Sequence, residues 1–332
     1  MRPEDVRPAS HAASVSRALP RTVVVLGLVS LLNDASSEMI TPLLPIFLTA
    51  TLGAGPAIVG LVEGLAEATS SVLKLVAGRL ADRGVDAKSL VVAGYGLSNV
   101  TRPLIGLAAA WSSVLLLRFL DRVGKGFRTA PRDALIAGAT HAADRGRAFG
   151  FHRSMDHAGA VIGPLLAFAL LSMQVELKHV FLASVVPGLL VLLLLMFGLP
   201  RGQPFVAPPR ASFSWRSLHG RLRAMILAAG WLALASVPEA FVVLWATGAG
   251  MSVHWVPLVW AAASLAKMVI AMPAGIVSDR LGRIPVLLGG WSLRVFVLLL
   301  LAALPAPPAW QVWLLFIAYA ATLAVTEPAE RS

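Results

Sequence analysis

The chain returns repeatedly to apolar stretches long enough to cross a bilayer, and this recurrence constrains its fold more than any motif does. A spanning helix needs about 20 predominantly apolar residues. Such stretches fall at 22–49, 57–80, 88–110, 112–137, 148–172, 179–199, 222–247, 254–278, 284–304 and 310–330. The fold class expected is an all-α polytopic membrane protein with about ten transmembrane helices. Of the 332 residues, 57% are hydrophobic and 14% charged. Soluble domains run nearer about 45–50% and about 25%. One water-soluble core cannot hide that much apolar surface, which excludes a soluble enzyme, a disordered chain and a secreted disulfide scaffold. The absence of cysteine removes disulfides, thiolate metal sites and cysteine nucleophiles together.

The net charge of +11 invites a nucleic-acid partner, but its layout argues against one. With the N-terminus inside, twenty of the 28 Lys and Arg fall on the inner side, among them Arg79, Lys88, Arg145, Arg147, Arg280 and Arg283. Lys178 falls outside, and the remaining seven lie within spans. This is the positive-inside asymmetry of a multi-pass membrane protein, and it leaves no single soluble basic face for nucleic acid. The expected location is the inner membrane of the cell, with a cytoplasmic N-terminus. Trp111, Trp255 and Trp310, near outer ends, fit an aromatic belt.

Four segments follow from the pattern. Residues 1–21 are polar and read as a cytoplasmic tail rather than a signal peptide, since many spans follow and no convincing cleavage site precedes them. Residues 22–199 form a six-helix bundle, and 224–332 a partial second bundle of four helices. Between them, 200–223 holds four Pro and five Arg and reads as a flexible cytoplasmic linker. An internal repeat supports the division. Gly78-Arg-Leu-Ala-Asp82-Arg83 recurs 197 residues later as Gly275-Ile-Val-Ser-Asp279-Arg280. The same offset carries Thr129, Pro131 and Asp133 onto Thr326, Pro328 and Glu330. Repeated halves are typical of secondary transporters.

Ionisable groups inside a bilayer are expensive and mark function by default. The first span carries Asn33, Asp34 and Glu38, the two acids sharing a helix face, and Pro42 and Pro45 should bend it. The second carries Glu63, Glu67 and Lys74. In the fourth, Arg118, Arg122 and Lys125 form a basic stripe beside Asp121. Glu239 follows Pro238 in the seventh span, and Lys267 is the expected cavity cation of the eighth. Arg102 and Arg294 are expected to snorkel toward an interface. Carboxylates in a low-dielectric cavity suit proton exchange, because each change of basic partner loads or releases a proton. Asp34, Glu38, Glu63 and Glu67 are the candidate proton carriers, with Arg118 and Asp121 as coupling partners. The rival reading is a set of fixed ion pairs that lock the first bundle. Asn33, Arg122, Lys125, Glu239 and Lys267 are candidate substrate contacts. Trp231 and Trp245 read as belt or packing residues before they read as a stacking platform. His152, His157 and Asp156 read as solvated or ion-paired, not as a metal site. Gly159 and Gly163, followed by Pro164, are small residues spaced for close helix packing. No GxxxxGKS, HExxH or GxSxG is present, so neither ATP-driven transport nor an enzyme is expected, and no cofactor.

The repeated loops resemble the signature loops of the major facilitator superfamily. Gly78-x-x-x-Asp82-Arg83 stands between spans two and three, and Gly275-x-x-x-Asp279-Arg280-Leu-Gly282-Arg283 is the cleaner copy. Arg118 and Gly124 resemble the family's Arg-plus-glycine helix motif, and Gly159-x-x-x-Gly163-Pro164 that of its proton-driven antiporters. Arg122 stands where a glycine is common, and Asp86 where the first loop usually has Arg. The resemblance implies two six-helix bundles rocking about a central cavity, with the signature loops as gating elements. By the repeat, Ser332 aligns with Leu135, so counterparts of spans five and six fall beyond the sequence. The family's partner for Asp82, the start of an eleventh helix, falls there too.

The function expected is secondary transport of a small molecule by alternating access, proton-coupled and outward. Two alternatives remain: a truncated non-transporting remnant or regulatory subunit, and a proton-coupled importer of a small anionic nutrient. The partners expected are the lipid bilayer, a small-molecule substrate and protons, with no obligate protein partner.

Overall fold

The computed structural model describes residues 18–82, 86–141, 144–199, 218–304 and 307–331. The tail before residue 18 and most of the linker lie outside these. Helices follow one another without strands among the described residues. They are α1 (Arg21–Ile40), α2 (Pro56–Asp82), α3 (Ala87–Leu104), α4 (Trp111–Gly138) and α5 (Arg145–Ser172). Next come α6a (Leu177–Ala183) with α6b (Val185–Gly198), and α7a (Gly220–Ala235) with α7b (Glu239–Gly248). The series ends with α8 (Val256–Leu281), α9 (Arg283–Ala303) and α10 (Ala309–Arg331). These positions match the ten expected spans.

Seven of the described helical segments are long and apolar enough to cross a membrane unaided. α4 is not among them. Its charges are turned inward: Arg118, Asp121 and Arg128 are all buried. A charged span is tolerable where its neighbours, rather than lipid, meet the charges.

Proline shapes two of the spans. Pro42 follows the end of α1, after which the chain turns and resumes as Leu44–Ile46 and a wide-turned segment Phe47–Thr51. A proline lacks the N–H that would continue the helical ladder. The seventh span breaks outright, because α7b starts after Pro238 with Glu239 in its first turn, where the helix dipole favours an acid. The Tyr319 hydroxyl donates to the Val237 carbonyl and satisfies the broken backbone.

Small residues set the tightest crossings. α3 and α4 meet at Gly94 and Gly124, where a Cβ on Gly94 would stand 2.6 Å from the Gly124 carbonyl oxygen. α1 and α5 meet at Gly159 and Gly163, and a Cβ on Gly159 would lie 2.9 Å from that of Asp34. Pro164 is buried beside them.

Two apolar cores organise the molecule. At the end remote from the basic loops, one core joins both halves: Leu43, Val59, Ile105, Val114 and Phe181 share it with Val243, Val259, Leu301 and Phe316. Toward the basic end, a second core draws on α1, α3, α4, α5 and α6b of the first half, through Leu26, Val91, Tyr95, Ile136, Ala148 and Leu195. Among the described residues, the halves therefore share an apolar core at one end and not at the other.

Substituting Gly124→Leu should destabilise the protein by about 1–3 kcal/mol, the usual cost of overpacking. Gly138→Ala, with nothing within 4 Å of an added Cβ, should be close to neutral. Thermal unfolding in detergent compares the two.

Candidate functional site

Between the halves lies a cavity of about 340 Å³. Helices α1, α2, α4 and α5 contribute Glu38, Thr41, Glu63, Arg118, Arg122, His157 and Ala160. Facing them, α7b, α8 and α10 contribute Glu239, Trp260, Ser264, Lys267 and Glu327. Six of the residues singled out from the sequence thus come together: Glu38, Glu63, Arg118, Arg122, Glu239 and Lys267.

The charges are mostly paired. Lys267 donates to both carboxylate oxygens of Glu239, at 3.0 and 3.1 Å. Arg118 reaches Glu63 at 3.3 Å. Glu38 has no cation within bonding distance among the described residues, and accepts instead from the Trp260 indole N–H at 2.9 Å. That bond runs from α1 to α8, so it ties one half to the other across the cavity. Nearer the basic end, Arg153 of α5 and Glu327 of α10 make a second tie at 3.0 Å. Pro164 cannot donate to the Ala160 carbonyl, which leaves that oxygen without its helical donor beside the cavity.

Behind the cavity wall sits Asp121, fully buried. It pairs with Arg102 at 2.9 Å, Arg118 at 3.6 Å and Arg122 at 3.9 Å. Arg102 in turn donates to the Asn33 carbonyl at 3.1 Å and to its side-chain oxygen at 3.0 Å. The Asn33 amide donates to Asp34 at 3.0 Å. Ser98 donates to the Asp121 carbonyl at 2.9 Å and accepts from Arg128 at 2.7 Å. Arg128 also lies over the Tyr95 ring, 4.5 Å from its centre. One continuous network thus binds α1, α2, α3 and α4.

Several expected residues stand elsewhere. Asn33 is buried on Arg102 and does not line the cavity. Asp34 sits at the α1–α5 crossing, within electrostatic reach of Lys125, Arg128 and Asp156. Lys125 is half-buried there, off the cavity wall. Glu67 is exposed on α2, one turn from Ser71, and takes no part in the cavity. Arg102 and Arg294 do not snorkel. Both are buried, and Arg294 donates to Thr326 at 2.7 Å and packs over the Trp291 ring. Partners inside the bundle satisfy each guanidinium better than an interface would. Trp231 is 73% exposed, which removes it as a stacking platform, and Trp245 donates to the Leu301 carbonyl. His152 faces Asp156 at 3.6 Å, and Ser30 donates to the same carboxylate. Among the described residues, no group of three His, Asp or Glu is placed to hold a metal.

Trp260 and Glu327 were not singled out from the sequence. A signal for Trp260 existed: Trp260, Ser264 and Lys267 recur at helical spacing and put one polar face on an otherwise apolar helix.

In the loops, Gly78 and Gly275 are helical, while Arg280 and Arg283 are exposed. Gly282 takes φ +86°, a conformation that a Cβ would strain, between α8 and α9. Arg83 and the side chains of Asp82 and Asp279 lie outside the described residues. Asp86 has a clear local role, because its carboxylate accepts from the Ser89 N–H at 2.8 Å and hydroxyl at 2.7 Å and caps α3. Those bonds hold its carboxyl below the ordinary value. The cap is therefore fully present above the ordinary carboxylate range and is lost as pH falls through the lowered value. Asp86→Ala should cost about 0.5–2 kcal/mol at neutral pH and nothing in strong acid, read from unfolding at both.

Removing the hub should be severe. Asp121→Asn leaves buried guanidiniums without their shared carboxylate and should cost about 3–5 kcal/mol. Adding Arg102→Met should recover part of the loss. Unfolding temperatures of the single and double variants test this.

A sequence model of the Major Facilitator Superfamily matches residues 26–329. An uncharacterized MFS-type transporter of Methanocaldococcus jannaschii is 33% identical over 282 residues, which is 83% of this chain and 70% of that one. The multidrug resistance protein MdtH of Photorhabdus laumondii is 33% identical over 133 residues, 40% of this chain and 33% of MdtH. Among solved structures, a bacterial homolog of the human lysosomal transporter Spinster, inward-facing and occupied, superposes with a TM-score of 0.73 at 20% identity. That match covers 93% of this chain and 72% of the other.

Proposed function

The chain belongs to the Major Facilitator Superfamily, and on that premise we propose that it exports a small molecule in exchange for protons by alternating access. Members of this family are membrane transporters, not enzymes. The observation that carries the reading is the cavity, whose walls come from both halves and whose ionisable groups include Glu38, Glu63, Arg118, Glu239 and Lys267. Among the described residues, the halves share an apolar core only at the end away from the basic loops. With that basic end in the cytoplasm and the chain in the inner membrane, the cavity is poised to open inward.

Coupling follows from the pairs. Glu38 as a carboxylate accepts a charge-assisted bond from Trp260, and a proton on Glu38 weakens that tie between halves. A proton on Glu63 releases Arg118 toward Asp121, which it already approaches. In the second half, Glu239 and Lys267 form a corresponding exchangeable pair. Proton loading and substrate release thus act on the same cavity wall. The likeness to MdtH over part of the chain supports the outward direction.

The test uses the protein in proteoliposomes under an imposed pH gradient. Glu38→Gln and Glu63→Gln should each lower gradient-driven flux by about ten-fold or more while leaving counterflow without a gradient largely intact, as expected for loss of a positioned proton acceptor. Undiminished coupling in Glu38→Gln and Glu63→Gln alike would sink the mechanism.

A further inference from the structure

Resting on the reading of this cavity as a substrate site, we propose that the group it takes up is anionic, a carboxylate or phosphate docked on Arg122. The argument is one of charges left over. Each carboxylate on the wall already has a donor: Glu63 has Arg118, Glu239 has Lys267, Glu38 has the Trp260 indole, and Glu327 has Arg153. Arg122 has no equivalent. The one carboxylate within 4 Å of it, among the described residues, is Asp121 at 3.9 Å. That carboxylate bonds Arg102 at 2.9 Å through one oxygen, and its other oxygen, 3.6 Å from Arg118, is buried without a hydrogen bond. The Nε atoms of Arg118 and Arg122 are both buried without a hydrogen-bond partner.

Arg118 directs its terminal nitrogens to Glu63 and Asp121, whereas those of Arg122, one helical turn on and on the cavity wall, carry no hydrogen bond among the described residues. Arg118 is 2% exposed and Arg122 11%. A guanidinium keeps its charge at any physiological pH, so it cannot escape the cost of burial by losing a proton. An anion relieves that cost, and the planar fork suits the paired oxygens of a carboxylate or phosphate. A cation entering the same space would meet Arg122 opposing it and would find Glu63, Glu239 and Glu327 already paired with basic residues. The anion is either a soluble molecule or the headgroup of a lipid.

Binding is measured on the purified full chain in detergent, by thermal stabilisation. The probes are benzoate and phenyl phosphate, with phenyltrimethylammonium as the cation of similar size and phosphatidylglycerol against phosphatidylcholine as lipids. Anionic probes should stabilise saturably, and Arg122→Gln should weaken them about ten-fold or more, the worth of one charge-assisted bond. Arg122→Lys should restore part of the affinity. Should Arg122→Gln not yield folded protein, Arg122→Lys still reports the loss of the fork as a smaller weakening. An Arg122-dependent effect of benzoate or phenyl phosphate assigns a soluble anion, and one confined to phosphatidylglycerol assigns a headgroup; either supports the proposal. Stabilisation by phenyltrimethylammonium alone, anion effects unchanged in both variants, or no anion effect at all overturns it. Flux separates the two readings. Arg122-dependent anion binding without transport would leave this site standing and remove the transport mechanism. Gradient-driven cation export undiminished in Arg122→Gln would do the reverse.

Discussion

Asp121 is the fixed point of the first half. A single carboxylate, sealed from solvent, stands between guanidiniums from α3 and α4 and so determines where both helices can sit. Burying an ion pair is rarely a source of net stability, because desolvation offsets the attraction. What the arrangement supplies is registry. Arg102 satisfies its remaining donors on Asn33, which fixes α1 against α3. Arg118 spends one arm on Asp121 and the other on Glu63, which fixes α2. The crossings at Gly94 and Gly124 then bring the backbones close enough for this network to close.

The same arrangement connects scaffold to cavity. Arg118 belongs to both, with one side in the buried network and the other on the cavity wall. A change in the protonation of Glu63 is thereby passed to the group that holds the helices in place. The second half is built more sparingly. Its cavity ion pair among the described residues, Glu239 with Lys267, sits beside a broken helix, and Trp260 extends from the same face of α8 as Lys267 to meet Glu38.

The sequence was informative where chemistry is local or periodic. Apolar length placed the helices, the GxxxDR repeat led to the family, and the charged positions of α1, α2, α4, α7 and α8 supplied most of the cavity's ionisable wall. It was uninformative where the answer depends on which helix lies opposite. Arg102 reads as a lone cation near a span end, and only the packing of α3 on α4 reveals Asp121 as its partner. Asn33 and Glu67 have the right residue types for a cavity, yet helix rotation turns one into the bundle and the other out of it. Trp260 was overlooked because an aromatic residue in a span reads first as belt or packing. Its role depends on Glu38, 222 positions away.

The two ends of the molecule are tied by different physics, and this bears on how exchange between open forms would respond to conditions. Away from the basic loops, the seam is apolar, with Leu43, Val243, Val259 and Phe316 in one core. Opening it would wet hydrocarbon surface and carry a positive heat-capacity change, so its free energy would curve with temperature and weaken in the cold. At the other end the tie is Arg153 with Glu327, which are 47% and 36% exposed. Such a pair is screened by dissolved ions and nearly indifferent to heat capacity. Temperature and ionic strength would therefore act as separate handles, one on each door.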